Sequence, residues 1–116
     1  MAYTLKFTDE GRDDVRSLLK ATRNWLKKEL RALEADPIGC SFELHSPLQG
    51  YRSFHCGEYR AIFMVFEHLK AVSIVAVGKH SSQPDEDVYK HLETLAKEGK
   101  LAEKLLISIR GFSPGR

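Results

Sequence analysis

Few of the signatures that usually announce a protein's chemistry are present in this chain. It has two cysteines in 116 residues, Cys40 and Cys56. They lie far apart and outside any Cys-x-x-Cys arrangement, which excludes a disulfide framework and a cysteine-rich zinc site; both are expected to be reduced and buried. No apolar run approaches the roughly 20 residues that cross a bilayer, which argues against a membrane-spanning helix. Met1–Phe7 lacks the basic and apolar regions of a signal peptide, so the expected location is the cytoplasm. An excess of one charge is also missing: 18 Lys and Arg stand against 16 Asp and Glu, a net charge of +2. Surfaces that bind phosphate usually carry a larger basic surplus. There is no Gly-rich phosphate loop, no Gly-x-Ser-x-Gly elbow and no His-Glu-x-x-His helix. Internal repeats and low-complexity segments are absent too.

What remains is ordinary globular composition, 42% hydrophobic and 29% charged, in a length that suits one domain. Residues 1–116 are read as a single domain in which 100–116 form a C-terminal extension and tail. Residues 3–7 alternate apolar and polar side chains, the pattern of a short strand. Thr8 is placed to cap a helix, with Asp9 and Glu10 in its first turn. That helix is expected to reach about Thr22 through Val15, Leu18 and Leu19. A second helix carries Leu26, Leu30 and Leu33 and stops at Asp36-Pro37. The two read as a helical hairpin, with Trp25 packed where they meet. The basic residues Arg23, Lys27, Lys28 and Arg31 read first as a solvated helix face, with an RNA or partner surface as the alternative.

Residues 38–50 read as loop, punctuated by Gly39, Pro47 and Gly50. Three strand-like runs follow: Tyr51–Cys56, Tyr59–Phe66 and Ala71–Gly78. The last two are apolar nearly throughout and are expected to be covered on both faces. A helix is then expected from about Asp85-Glu86-Asp87 through Val88, Leu92 and Leu95 to a stop at Gly99. A shorter amphipathic piece carries Leu101, Leu105, Leu106 and Ile109, and residues 111–116 look like a frayed tail. The fold class is α+β: an N-terminal strand, a helical hairpin packed on an antiparallel sheet of about four strands, and a C-terminal helix.

Turn arithmetic gives the register. A two-residue Gly57-Glu58 loop, glycine first as a type II′ turn requires, sets His55 directly opposite Arg60 on one face. A three-residue loop at His68-Leu69-Lys70 pairs Glu67 with Ala71 and puts Gly78 opposite Arg60, with His80 continuing on that face. A two-residue loop would present Lys79 instead. One end of the sheet would then gather two imidazoles and a guanidinium, with Glu58, Arg52, Lys79 and Tyr89 nearby. Metal-independent RNA cleavage needs a base for the ribose 2′-hydroxyl, an acid for the departing 5′-oxygen and a cation for the phosphorane charge. Histidines titrating near neutrality can fill the first two roles, each transfer contributing about 10²- to 10⁴-fold. An Arg fork could contribute on the order of 3 kcal/mol. Glu58 is open between a turn residue and a partner of Arg60 or of a histidine. His45, His55 and His80 form no recognised metal motif, so neither metal nor other cofactor is expected.

The order of elements resembles the RelE/ParE superfamily of toxin–antitoxin toxins. So do the motifs Leu33-x-x-Asp36-Pro37, Gly50-Tyr51-Arg52, Gly57-Glu58-Tyr59-Arg60-Ala61-Ile62-Phe63, Val77-Gly78-Lys79-His80 and Val88-Tyr89. The resemblance covers about residues 3–90 and implies a RelE-like fold and a toxin that cuts mRNA on the ribosome. It also implies a cognate antitoxin that neutralises the toxin. Arg60 matches the strand arginine that contacts phosphate in RelE-type members. His80 falls at the catalytic histidine of YoeB- and YafQ-type relatives. Gly50–His55 looks most like YafQ-type sequences, in which a histidine at the place of His55 and an acidic residue near Glu58 join the site. The implied catalytic set is therefore His55, Glu58, Arg60, His80 and Tyr89, with Arg52 and Lys79 on flanking phosphates. The alternatives are a ParE-type inhibitor of DNA gyrase without nuclease activity, or a degenerate member kept as a binding module. Residues Ser82–Glu86 separate His80 from Tyr89 as an insertion, and the piece after Gly99 has no counterpart in the pattern.

Overall fold

The computed structural model describes residues 2–81 and 87–110. Its elements are β1 (Thr4–Phe7), α1 (Asp9–Arg16), α2 (Lys20–Glu29), α3 (Ala32–Ala35), β2 (Phe42–Glu43), β3 (Arg52–Cys56), β4 (Tyr59–Phe66), β5 (Ala71–Lys79), α4 (Val88–Lys97) and α5 (Lys100–Ser108). The strands form one sheet in the order β1-β5-β4-β3-β2. It is antiparallel except that β1 runs parallel to β5.

Both faces of the sheet are covered, which explains why β4 and β5 are apolar nearly throughout. Ala61, Phe63, Val72, Ile74 and Val77 pack against Val15, Leu26, Leu30 and Leu33 of the N-terminal helices. Ile62, Val75 and Ala76 pack on the other face against Val88, Leu92, Leu101 and Leu105. Phe63, Ile62 and Ile74 are fully buried, so truncating Phe63 to alanine would cost about 3–5 kcal/mol through lost transfer energy and the cavity left behind.

Several local expectations change. The first helix ends at Arg16 rather than near Thr22, because the Ser17 hydroxyl donates to the Asp14 carbonyl at 2.7 Å and the chain turns there. A new helix starts at Lys20, leaving Leu19 81% exposed at the corner. Trp25 does not fill the helix–helix contact. It is 41% exposed, with its ring centroid 6.4 Å from that of Tyr59, beside the β3–β4 turn. The segment read as loop contributes β2, held to β3 partly because the Arg52 guanidinium donates to Ser41 Oγ at 2.7 Å and to the Ile38 and Ser41 carbonyls at 3.2 Å. The sheet therefore has five strands. Cys56 is buried and Cys40 half-buried; both are free thiols. Asp85, Glu86 and the tail at 111–116 lie outside the described residues.

The β4–β5 connection carries the most informative difference. Phe66 pairs with Ala71, so the loop has four residues, Glu67 to Lys70, and the ladder begins one position away from the three-residue expectation. Lys70 closes it in the left-handed region at φ 49°. A bulge between Ile62 and Phe63 then leaves Val75 as an extra residue on β5, and beyond it Ile62 faces Ala76 and Arg60 faces Gly78. Val75 and Ala76 consequently lie on the same face. The slip at the turn is undone before the sheet reaches its functional end.

Candidate active site

The β3–β4 hairpin has the anticipated register. Gly57 takes φ +58° in the turn, Cys56 faces Tyr59, and His55 faces Arg60. Because opposed residues share a face, His55, Arg60 and Gly78 lie together on the side covered by α4 and α5. Gly78 matters for its lack of a side chain. A Cβ there would sit 3.1 Å from the Val88 Cβ, so glycine lets the first turn of α4 lie directly on β5. This close approach brings Asp87 and Tyr89 to His80.

Asp87 caps α4 and is 6% exposed. One carboxylate oxygen takes the Ser81 amide at 2.9 Å and sits 2.8 Å from His80 Nδ1. The other takes the Lys90 amide at 3.2 Å. Burial pushes the Asp87 carboxyl upward, but these donors outweigh it, and the group lies below its ordinary value. The Tyr89 ring meets the His80 ring edge-on at 5.0 Å between centroids, and its hydroxyl shares a 2.7 Å hydrogen bond with Ser53 Oγ on β3. The His80 amide donates to the Glu58 carbonyl at 3.2 Å, closing the strand end over the hairpin turn.

Arg60 is half-buried, and Nη1 donates to the Gly57 and Tyr59 carbonyls at 2.8 and 2.9 Å. Its Nε is buried without a partner, and no carboxylate pairs with the guanidinium among the described residues. A held but unneutralised cation of this kind favours an incoming anion. Although His55 is exposed, partial desolvation first, then its proximity to Arg60 and His80, moves it below its ordinary value. A shift in this direction favours the neutral imidazole, the form that accepts a proton. Its ring lies 4.9 Å from that of Phe42, which is 62% exposed. An exposed ring beside an imidazole is a surface on which an unstacked base can lie.

The sheet end thus brings together His55, Arg60, His80 and Tyr89. Glu58 is adjacent, but its carboxylate pairs with Lys79 at 3.0 Å rather than with Arg60 or a histidine. Lys79 lies opposite Tyr59 with Nζ 5.8 Å from that ring, on the face of the N-terminal helices. Arg52 alternates onto that same face, where its guanidinium binds the loop before β2. Asp87 and Phe42 lie against His80 and His55, and sequence reasoning placed neither there. Asp87 carried a helix-start signal, but its reach back to His80 across seven positions had none. Phe42 stood in a stretch with no strand signal. Among the described residues, no group of three or more His, Cys, Asp and Glu forms a metal-binding cluster, and no helix is long and apolar enough to cross a membrane.

A mixed sheet between an N-terminal helical pair and C-terminal helices, with a polar cluster at the hairpin end, defines a RelE-like toxin fold. A chain of the RelBE2 toxin–antitoxin complex from Mycobacterium tuberculosis superposes with TM-score 0.63 at 25% identity, covering 68% of this chain and 99% of that one. The isolated Escherichia coli RelE toxin gives TM-score 0.59 at 24% identity, covering 80% and 97%. YafQ from E. coli gives 0.54 at 20% identity, covering 66% and 92%. No curated protein sequence matches significantly. Residues 5–84 match the family described as the ParE toxin of the type II toxin–antitoxin system parDE. The chain belongs to that family, within the RelE/ParE superfamily, and is a toxin of a type II toxin–antitoxin system.

Proposed function

We propose that this toxin is a ribosome-dependent endoribonuclease acting on mRNA in the cytoplasm and held inactive by a cognate antitoxin. The observation that carries the reading is the grouping, at one end of the sheet, of a histidine, an unneutralised arginine directly opposite it and a second, carboxylate-backed histidine. His55 takes the proton from the ribose 2′-hydroxyl. The 2′-oxygen attacks phosphorus, and Arg60 binds the non-bridging oxygens as charge builds on the phosphorane. His80 donates its proton to the 5′-oxygen as the P–O5′ bond breaks. The products are a 2′,3′-cyclic phosphate and a 5′-hydroxyl. Tyr89 braces His80. Glu58 and Lys79 pair with each other at the edge of the site, and Arg52 anchors the loop before β2 on the far face.

Partnership with an antitoxin follows from membership of a type II system and accords with the RelB-bound state of structural relatives. The test is a reconstituted translation reaction containing purified toxin, with message integrity read by primer extension. Cleavage that requires ribosomes and is lost in His80→Ala supports the reading; intact message overturns it. A second reading, inhibition of DNA gyrase, is favoured by the family match itself, which is to ParE toxins. Under it His55→Ala and His80→Ala would retain toxicity, and purified toxin would block supercoiling.

A further inference from the structure

We propose that Asp87 is the positioning residue of this site, fixing His80 in the tautomer that carries its proton on Nδ1 and leaving Nε2 as the nitrogen that works on substrate. The inference rests on the nuclease reading above and adds a residue to it. Asp87 Oδ1 lies 2.8 Å from His80 Nδ1, while the Ser81 amide donates to the same oxygen and the Lys90 amide to Oδ2. A carboxylate in this setting only accepts, so the ring nitrogen facing it must be the donor. The Tyr89 ring against His80, itself hydrogen-bonded to Ser53, prevents the imidazole from turning away. One buried carboxylate therefore both starts α4 and sets the proton inventory of the histidine. When His80 is protonated to act as an acid, the same carboxylate stabilises the imidazolium, and donation from Nε2 leaves the Nδ1–H form behind.

Serine is the informative replacement because it caps helices as well as aspartate does but is too short to reach His80. Asparagine is not, because its one acceptor oxygen cannot serve both the Ser81 and the Lys90 amide, and turned toward Ser81 it still accepts from His80 Nδ1. Long-range ¹H–¹⁵N correlation on ¹⁵N-histidine-labelled full-length protein reads the tautomer directly, and cleavage in the reconstituted translation reaction reads the consequence. The expected result is Nδ1–H in the wild type and a mixture of tautomers in Asp87→Ser. Cleavage should fall on the order of 10-fold in Asp87→Ser, at near-native thermal stability. An unchanged tautomer in Asp87→Ser overturns the inference. So does wild-type cleavage by Asp87→Ser alongside an inactive His80→Ala, which leaves the nuclease reading standing. Wild-type cleavage by His80→Ala overturns that reading and this inference with it.

Discussion

Replacing Gly78 with alanine places a methyl group 3.1 Å from the Val88 Cβ and 3.3 Å from its Cγ2, inside normal carbon–carbon contact. The glycine is not in the left-handed region, so the backbone accepts alanine and the effect is one of packing. Gly→Ala at a permitted position stabilises by about 0.4–1 kcal/mol through the unfolded chain. Overpacking between β5 and α4 costs about 1–3 kcal/mol. The net expectation is a loss of about 1 kcal/mol, a fall in Tm of roughly 5 °C for a domain of this size. The first turn of α4 must lift by a few tenths of an ångström, and it carries Asp87 and Tyr89 away from His80 as it does. Calorimetry measures the stability change. Val88→Ala removes only the Cγ2 contact, so the double variant should be less destabilised than the sum of the singles. An unchanged or raised Tm, or strict additivity, would refute the close-packing account.

Other outcomes follow from the same geometry. Asp14 accepts the Val77 amide at 2.9 Å on the edge of β5 that β1 leaves open, and burial first, with Glu10 and Asp13 adding, holds its carboxyl above the ordinary 3.8. A raised carboxyl contributes stability at low pH and loses it as pH climbs through the folded value. Asp14→Asn should therefore gain stability relative to wild type as pH rises from about 3.8, a trend that urea titrations across pH can check. The Cys56 thiol is buried and pushed up to about 11, so Cys40 should alkylate first at pH 8, with Cys56 labelled only on unfolding; equal labelling contradicts its placement. Phe42→Ala removes an exposed ring beside His55 and should raise the KM for message more than it lowers kcat, with Tm nearly unchanged.

How far the sequence could be read depended on where it left physical marks. Gly57-Glu58 fixed the hairpin register because a two-residue turn with glycine first permits little else, and Thr8 marked a helix start that the structure keeps, accepting the Gly11 amide at 3.1 Å. The bulge at Val75 left no mark. With both faces of β5 buried, Ile74, Val75, Ala76 and Val77 show no alternation that would reveal where two neighbours share a side. The placement of Gly78 against Arg60 thus came from a loop count that is one residue short, compensated by a bulge that was not foreseen. At the site, His55 and Arg60 were legible because they are cross-strand neighbours. The link from Asp87 to His80 was not, because it reaches back seven positions and depends on how closely α4 lies on the sheet.

The claim that most needs testing is that His55, Arg60 and His80 cut RNA by attack of the 2′-hydroxyl. The most direct measurement is the chemistry of the ends released from mRNA in a reconstituted translation reaction with the wild-type toxin. A 2′,3′-cyclic phosphate paired with a 5′-hydroxyl, formed by the wild type and lost in His80→Ala, is the result this account predicts. Fragments ending in 3′-hydroxyl and 5′-phosphate, or message that stays intact, would contradict it.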